Sequence, residues 1–294
     1  MVDDVLTRPA ATPLEAGPIL LPGAAAPRPR RPGWPKLALR LIAVGYVFAL
    51  VLAPVGVVVT RTIQAGISAF VEAVTGPDAL HAYLLTAQVA GLAVLFNTVF
   101  GIGAALLLAR YRFPGKRLFD LLIDLPIAVS PIIVGLALVL VYGTQGWFGG
   151  ALAEAGIQVI YAPLGMAAAT AFVSLPLVVR EVTPVLLEVG TDQEEAAMSL
   201  GASAVQRFWR ITVPTIRWAL AYGVVLTTAR ALGEFGAVKV VSGNIIGQTQ
   251  TVTLLVDERA EQLEQGSLQL CIVLILVSVL SITVVSLLRP KEEH

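Results

Sequence analysis

Six long apolar stretches separated by short polar ones set the pattern of this chain, approximately over residues 38–60, 83–109, 118–142, 158–179, 218–241 and 267–288. About 20 apolar residues in a helix cross the hydrocarbon core, and a helix satisfies its own backbone polar groups there. The pattern therefore predicts an all-α membrane protein with six transmembrane helices. The third and fifth stretches carry charges, so their edges are the least sharply drawn. Glycine and alanine recur within the spans, at Gly91, Gly101, Gly103 and Ala104 and again at Gly165 and Ala167–Ala169, where small side chains permit close helix approach.

Residues 1–36 break the pattern. They hold eight of the 18 prolines and are rich in Ala and Arg, a composition that cannot build a core and predicts a disordered tail. Its apolar patch, Ile19-Leu20-Leu21, is closed off by Pro18 and Pro22, so it does not read as a signal-peptide core. Residues 37–294 then form the membrane domain.

The polar stretch between the fourth and fifth spans, 180–217, has helix punctuation of its own. Thr191 with Glu194 reads as a capping box, predicting a helix from near Asp192. Gly201 fits a left-handed stop, Ser203 with Gln206 reads as a second capping box for a helix through Ile211, and Pro214 predicts a break before the fifth span. Two short helices joined at Gly201 should lie near the membrane surface. Ala196 and Ala197 leave the first nearly bald on one face, able to enter a partner groove, while Glu194 and Glu195 can meet partner Arg or Lys.

Composition supports the membrane reading: 56% of residues are hydrophobic and 14% charged, where soluble domains carry about 25% charged residues. The net charge of zero gives no reason to expect a nucleic-acid partner. The placement of charge says more. Sixteen of the 20 Lys and Arg residues fall in the pieces that a cytoplasmic start assigns to the inside, and only Arg61 and Arg259 fall in the outer loops. The positive-inside rule then places both termini and the 180–217 loop in the cytoplasm.

Candidate chemistry is sparse. The single cysteine, Cys271, and the two histidines, His81 and His294, offer no metal-ligand spacing. Paired catalytic carboxylates and an intramembrane Ser/His set are lacking, so a membrane-embedded enzyme is not expected and no cofactor is indicated. The sequence has no G-x-x-x-x-G-K-[ST] phosphate loop; Gly115-Lys116 lacks the upstream glycine and the following hydroxyl, so ATP energy would have to come from another polypeptide.

In the fifth span, Arg230 and Glu234 lie four apart and can pair on one helix face, in the weaker Arg-before-Glu order. They either fix helix packing or line an anion path. Lys239 either meets an incoming anion or reaches to the interface. Ser130-Pro131 and Ser174-Leu175-Pro176 are places where a helix could break and present backbone amides to an anion, or simply kink.

Glu195, Ala196, Ala197, Gly201, Ile211 and Pro214 together resemble the E-A-A-x3-G-x9-I-x-L-P signature of permease subunits of binding-protein-dependent ABC importers, departing only in Val213 where Leu is usual. The resemblance implies the MetI-like fold of type I importers, with the 180–217 loop docking in a cleft of the ATP-hydrolysing subunit through these residues and Glu194.

The stretch from Ala229 to Gly243, and that from Ala109 to Pro131, are similar to sulfate and molybdate permeases, most nearly the W-type subunit of sulfate importers. This resemblance covers roughly residues 40–288. It implies a non-catalytic subunit forming half of the pore for sulfate, or thiosulfate, in a bacterial cell membrane. Its partners would be a dimer of ATP-binding subunits, a T-type permease, an extracytoplasmic sulfate-binding protein and the surrounding lipid.

Molybdate or another oxyanion is the alternative cargo. A self-powered secondary transporter is a second class, with Glu234, Asp120 and Asp124 as its few proton-relay candidates and no evident inverted repeat. A signalling or scaffold subunit is a further one.

Overall fold

The computed structural model describes residues 34–262 and 266–288. The tail expected over 1–36 and the terminal Arg289, Lys291 and His294 lie almost wholly outside these residues. The described elements are all helical: α1 (Trp34–Val47), a π-turn (Phe48–Leu52), α2 (Ala53–Thr75), α3 (Pro77–Arg110), α4 (Lys116–Ala128), α5 (Pro131–Tyr142), α6 (Gly149–Glu154), α7 (Pro163–Val189), α8 (Asp192–Ser199), α9 (Ala204–Arg207), a second π-turn (Phe208–Thr212), α10 (Val213–Leu232), α11 (Gly236–Ser242), α12 (Val252–Glu261) and α13 (Ser267–Leu288).

The chain divides into two units, residues 1–53 and 54–294. In the first, every described side chain from Ala38 to Ala53 is exposed. In the second, α7 is central and packs against α3, α10, α4, α11 and α5. Ala104, Ala105 and Leu108 of α3 meet Val178, Val179, Val182 and Leu186 of α7 and Ile216 of α10 at the end nearest α8. Toward the other end, Val134 of α5 packs with Ala169 and Val173 of α7 and Ala237 and Val241 of α11. Small residues set these approaches: a Cβ on Gly101 would fall 2.7 Å from Val178, and one on Gly135 would fall 2.8 Å from the Ala237 carbonyl. Gly91 and Gly103, also expected at close contacts, meet nothing within 4 Å.

Prolines open α3, α5 and α7, where a missing N–H costs nothing. Within α7, however, Pro176 and Pro184 do not break the helix, so the break considered at Ser174–Pro176 is absent. Hydrogen bonds from Asn97 to the Ala171 carbonyl and from Ser174 to the Thr170 carbonyl tie down the preceding turn.

Three helical stretches, Ala38–Thr75, Pro77–Arg110 and Pro163–Val189, are long and apolar enough to cross a membrane. The bent pair α4 and α5 makes a fourth if it counts as one span, and the apolar part of α13, Ser267–Ser281, is shorter. The third expected stretch is therefore no straight helix; it turns by 113° between α4 and α5. Ser130, which precedes Pro131, takes φ −59°, ψ 133°, as the proline ring demands of the residue before it. The fifth is interrupted too, between Leu232 and Gly236.

Candidate functional site

The polar loop after α7 is built almost wholly from local backbone chemistry. Gly190 leaves α7 at φ +70°, a value that glycine reaches freely. α8 starts at Asp192 as its sequence suggests, but the Thr191–Glu194 capping box does not form. Thr191 Oγ1 instead donates to Glu195 Oε1 at 2.6 Å. Glu194 turns inward, where Oε1 accepts from Arg110 Nη2 at 3.1 Å and from Thr212 Oγ1 at 3.1 Å. Two charge-assisted donors hold that carboxylate more strongly than one backbone amide at its own helix start.

α8 ends in a complete Schellman motif: Gly201, at φ +85°, donates to the Met198 carbonyl at 2.9 Å and Ala202 donates to the Ala197 carbonyl at 3.0 Å. The second capping box is present, with Ser203 N donating to Gln206 Oε1 at 2.8 Å and Gln206 N donating to Ser203 Oγ at 3.3 Å. The helix it starts does not end at Pro214. It passes through the π-turn into α10, where Val213 N donates to the Phe208 carbonyl, and the proline sits in the first turn of α10. The wider turn takes up the geometry around a residue that cannot donate.

The outward side of this hairpin presents Glu195, Ala196, Met198, Leu200 and Val205, all exposed, and Ala197 and Ile211 are half-buried. Leu200, at 89% exposed, is the extreme. A leucine of that exposure beside bare alanines forms an apolar contact surface without a cover among the described residues.

A second constellation lies where the two interrupted stretches meet. A Cβ on Gly236, the first residue of α11, would stand 3.1 Å from Pro131 Cβ, so the break at Ser130–Pro131 abuts the break before α11. Glu234 is buried there. Its Oε1 accepts from Ala237 N at 3.0 Å, holding the start of α11, and its Oε2 lies 2.6 Å from Arg230 Nη1 without hydrogen-bond alignment. The Arg230 side chain is 39% exposed, against 2% for Glu234. The pair thus offers a cation toward open space and keeps its carboxylate inside.

Lys239 is ion-paired. Its Nζ lies 2.6 Å from Asp257 Oδ2 and 3.6 Å from Glu261 Oε1, which binds α11 to α12. Asp120 and Asp124 are likewise engaged: both pair with Arg180, tying α4 to α7.

Arg110 and Thr212 carry more than sequence reasoning assigned to them. Arg110 was distinguishable only as one cation among the cytoplasmic set, and Thr212 by nothing but its place two residues before Pro214.

The profile of a family described as the binding-protein-dependent transport system inner membrane component matches residues 97–294. The chain is 50% identical over 224 residues to a chloroplastic sulfate permease 2 of Chlamydomonas reinhardtii, covering 76% of this chain and 61% of that protein's length. It is 49% identical over 226 residues to the sulfate transport system permease protein CysW of Synechococcus elongatus, covering 77% and 79%. Among solved structures, a bacterial ABC transporter involved in the import of alginate shares the fold, with TM-score 0.70 at 17% identity over 87% of this chain and 93% of the other.

Proposed function

This chain belongs to the family of inner-membrane components of binding-protein-dependent transport systems, and we propose that it is the permease subunit of an ATP-driven sulfate importer, forming half of the translocation pore. It is a multi-pass transport subunit rather than an enzyme. Six crossings, with both termini in the cytoplasm, follow from the charge distribution when α4–α5 and α10–α11 each serve as one interrupted span, and the membrane in this reading is that of a bacterial cell. The partners in this reading are a dimer of ATP-binding subunits, a T-type permease and an extracytoplasmic sulfate-binding protein.

The observation that carries the reading is the α8–α9 hairpin, joined at Gly201 and presenting Glu195, Ala196 and Leu200 outward. Glu195, Ala196, Ala197 and Gly201 meet the ATP-binding subunit. Ile211 and Pro214, at the entrance to α10, and Glu194, through its inward bonds, pass the movement on. An apolar, closely approachable helix face is what a groove in a soluble motor needs.

The anion path runs past the junction of the two interrupted stretches. Helix starts at a break and a half-exposed guanidinium suit a tetrahedral dianion. Arg230 faces the path, Glu234 holds Arg230 and α11 in place, and Ser130 stands at the facing break. Lys239, bound by two carboxylates, serves the α11–α12 frame.

Reconstitution of the permease pair with its ATP-binding subunits and binding protein tests the assignment. ATP-dependent uptake of labelled sulfate, resistant to excess molybdate, is expected. Uptake of molybdate in preference to sulfate would reassign the cargo, and uptake that persists with a hydrolysis-dead ATP-binding subunit would instead indicate a self-powered carrier.

A further inference from the structure

The two ends of α8 are backbone swivels. Gly190 at φ +70° precedes it and Gly201 at φ +85° follows it. A helix hung between two glycine hinges passes little torque along the chain, so a push on α8 needs another route into the bundle.

One carboxylate oxygen supplies that route. Glu194 Oε1 accepts from Arg110 Nη2 and from Thr212 Oγ1. Arg110 is the last residue of α3, and its Nη1 donates to the Leu186 carbonyl in the last turn of α7 at 2.7 Å. Thr212 ends the π-turn that leads into α10 and is 5% exposed. The side chains of Arg110 and Glu194 are 10% and 19% exposed, so water competes weakly for these bonds. Glu195, its neighbour, is exposed, and its carboxylate accepts from Thr191 at the start of its own helix. Adjacent glutamates therefore have opposite duties, one facing the motor and one facing the bundle.

We propose that Arg110, Glu194 and Thr212 form a latch that makes α8 move α3, α7 and α10 together, and that Arg110 and Thr212 are positioning residues for coupled transport. The proposal rests on the reading of α8 as the part on which the ATP-binding subunit acts. Arg110 suits the task because its planar fork holds two acceptors on separate nitrogens in a fixed geometry, where a lysine would offer a single point charge. The π-turn suits it because its extra residue leaves the entrance to α10 able to shift register without unfolding.

The test is sulfate moved per ATP hydrolysed in the reconstituted full complex. Thr212→Val removes the hydroxyl at constant shape, and Thr212→Ser restores it. Loss of the carboxylate charge in Glu194→Gln, or of both guanidinium bonds in Arg110→Gln, should lower the ratio by about tenfold, with a smaller fall in Thr212→Val and recovery in Thr212→Ser.

A wild-type ratio in Thr212→Val and Glu194→Gln would overturn the latch. So would loss of hydrolysis and uptake in equal proportion, because a merely structural role lowers both together. Gly201→Trp, measured alongside, separates the two levels: if it too leaves the ratio unchanged, the coupling reading of α8 fails, and if it alone lowers the ratio, only the latch fails.

Discussion

Arg230 and Glu234 show how much a single side chain's surroundings add to its spacing. The interval of four residues is enough to expect an ion pair, and the pair forms. That Glu234 also holds the amide of Ala237 at a helix break is not contained in the spacing, because it depends on where the backbone leaves the helix. Removing Arg230 leaves a buried carboxylate with one amide donor, a loss of about 1–3 kcal/mol. Arg230→Ala should therefore lower the thermal midpoint of the purified complex and abolish sulfate uptake, whereas Glu234→Gln, which keeps an acceptor for Ala237, should retain more stability than uptake. Full assembly and full uptake in Arg230→Ala would remove the pair from the transport path. Glu194 teaches the converse. Its place three residues after Thr191 suggests a cap, but Arg110, 84 residues away in sequence, claims it. Local pattern yields where a distant charge offers a better partner.

Among the elements, three of the six apolar runs overlap helices long and apolar enough to cross a membrane, and the runs do not show where the others bend. The stretch over 118–142 turns through 113° at a serine–proline step, and 218–241 opens at Gly233, whereas Pro176 and Pro184 leave α7 whole. Proline and glycine mark possible breaks; which of them opens is decided by what packs beside it. Asn97 and Ser174 brace α7 near Pro176, while Gly236 and Pro131 bring the two open breaks together. The α5–α11 contact is the tightest test of this arrangement. Gly135→Ala would force a Cβ to 2.8 Å from the Ala237 carbonyl. Overpacking of that kind costs about 1–3 kcal/mol. A lowered thermal midpoint and impaired uptake are expected for Gly135→Ala, with little change for Gly103→Ala, whose added Cβ meets nothing within 4 Å. Equal behaviour of the two variants would contradict the close approach. The second helix of the hairpin was legible through the Ser203 box, but its passage through a π-turn into α10 was not, since Pro214 alone reads as a stop.

For the whole molecule, in the proposed reading, the charge pattern gives a side to each loop and the signature between Glu195 and Pro214 gives one loop a motor. In that reading the second unit is a passive frame, in which α7 packs against α10 and α11 and leads at its far end into the hairpin at Gly201. The cargo was legible only through likeness to other permeases, because a half-exposed arginine at a helix break suits any small oxyanion. The central claim is that force on the hairpin drives the anion across. The most direct measurement is labelled sulfate uptake and ATP hydrolysis, recorded together in vesicles holding the complete importer, for the native chain, Gly201→Trp and Glu195→Lys. Both variants are expected to insert their helices normally and to lose ATP-driven uptake. Normal ATP-driven sulfate uptake in both would contradict that claim.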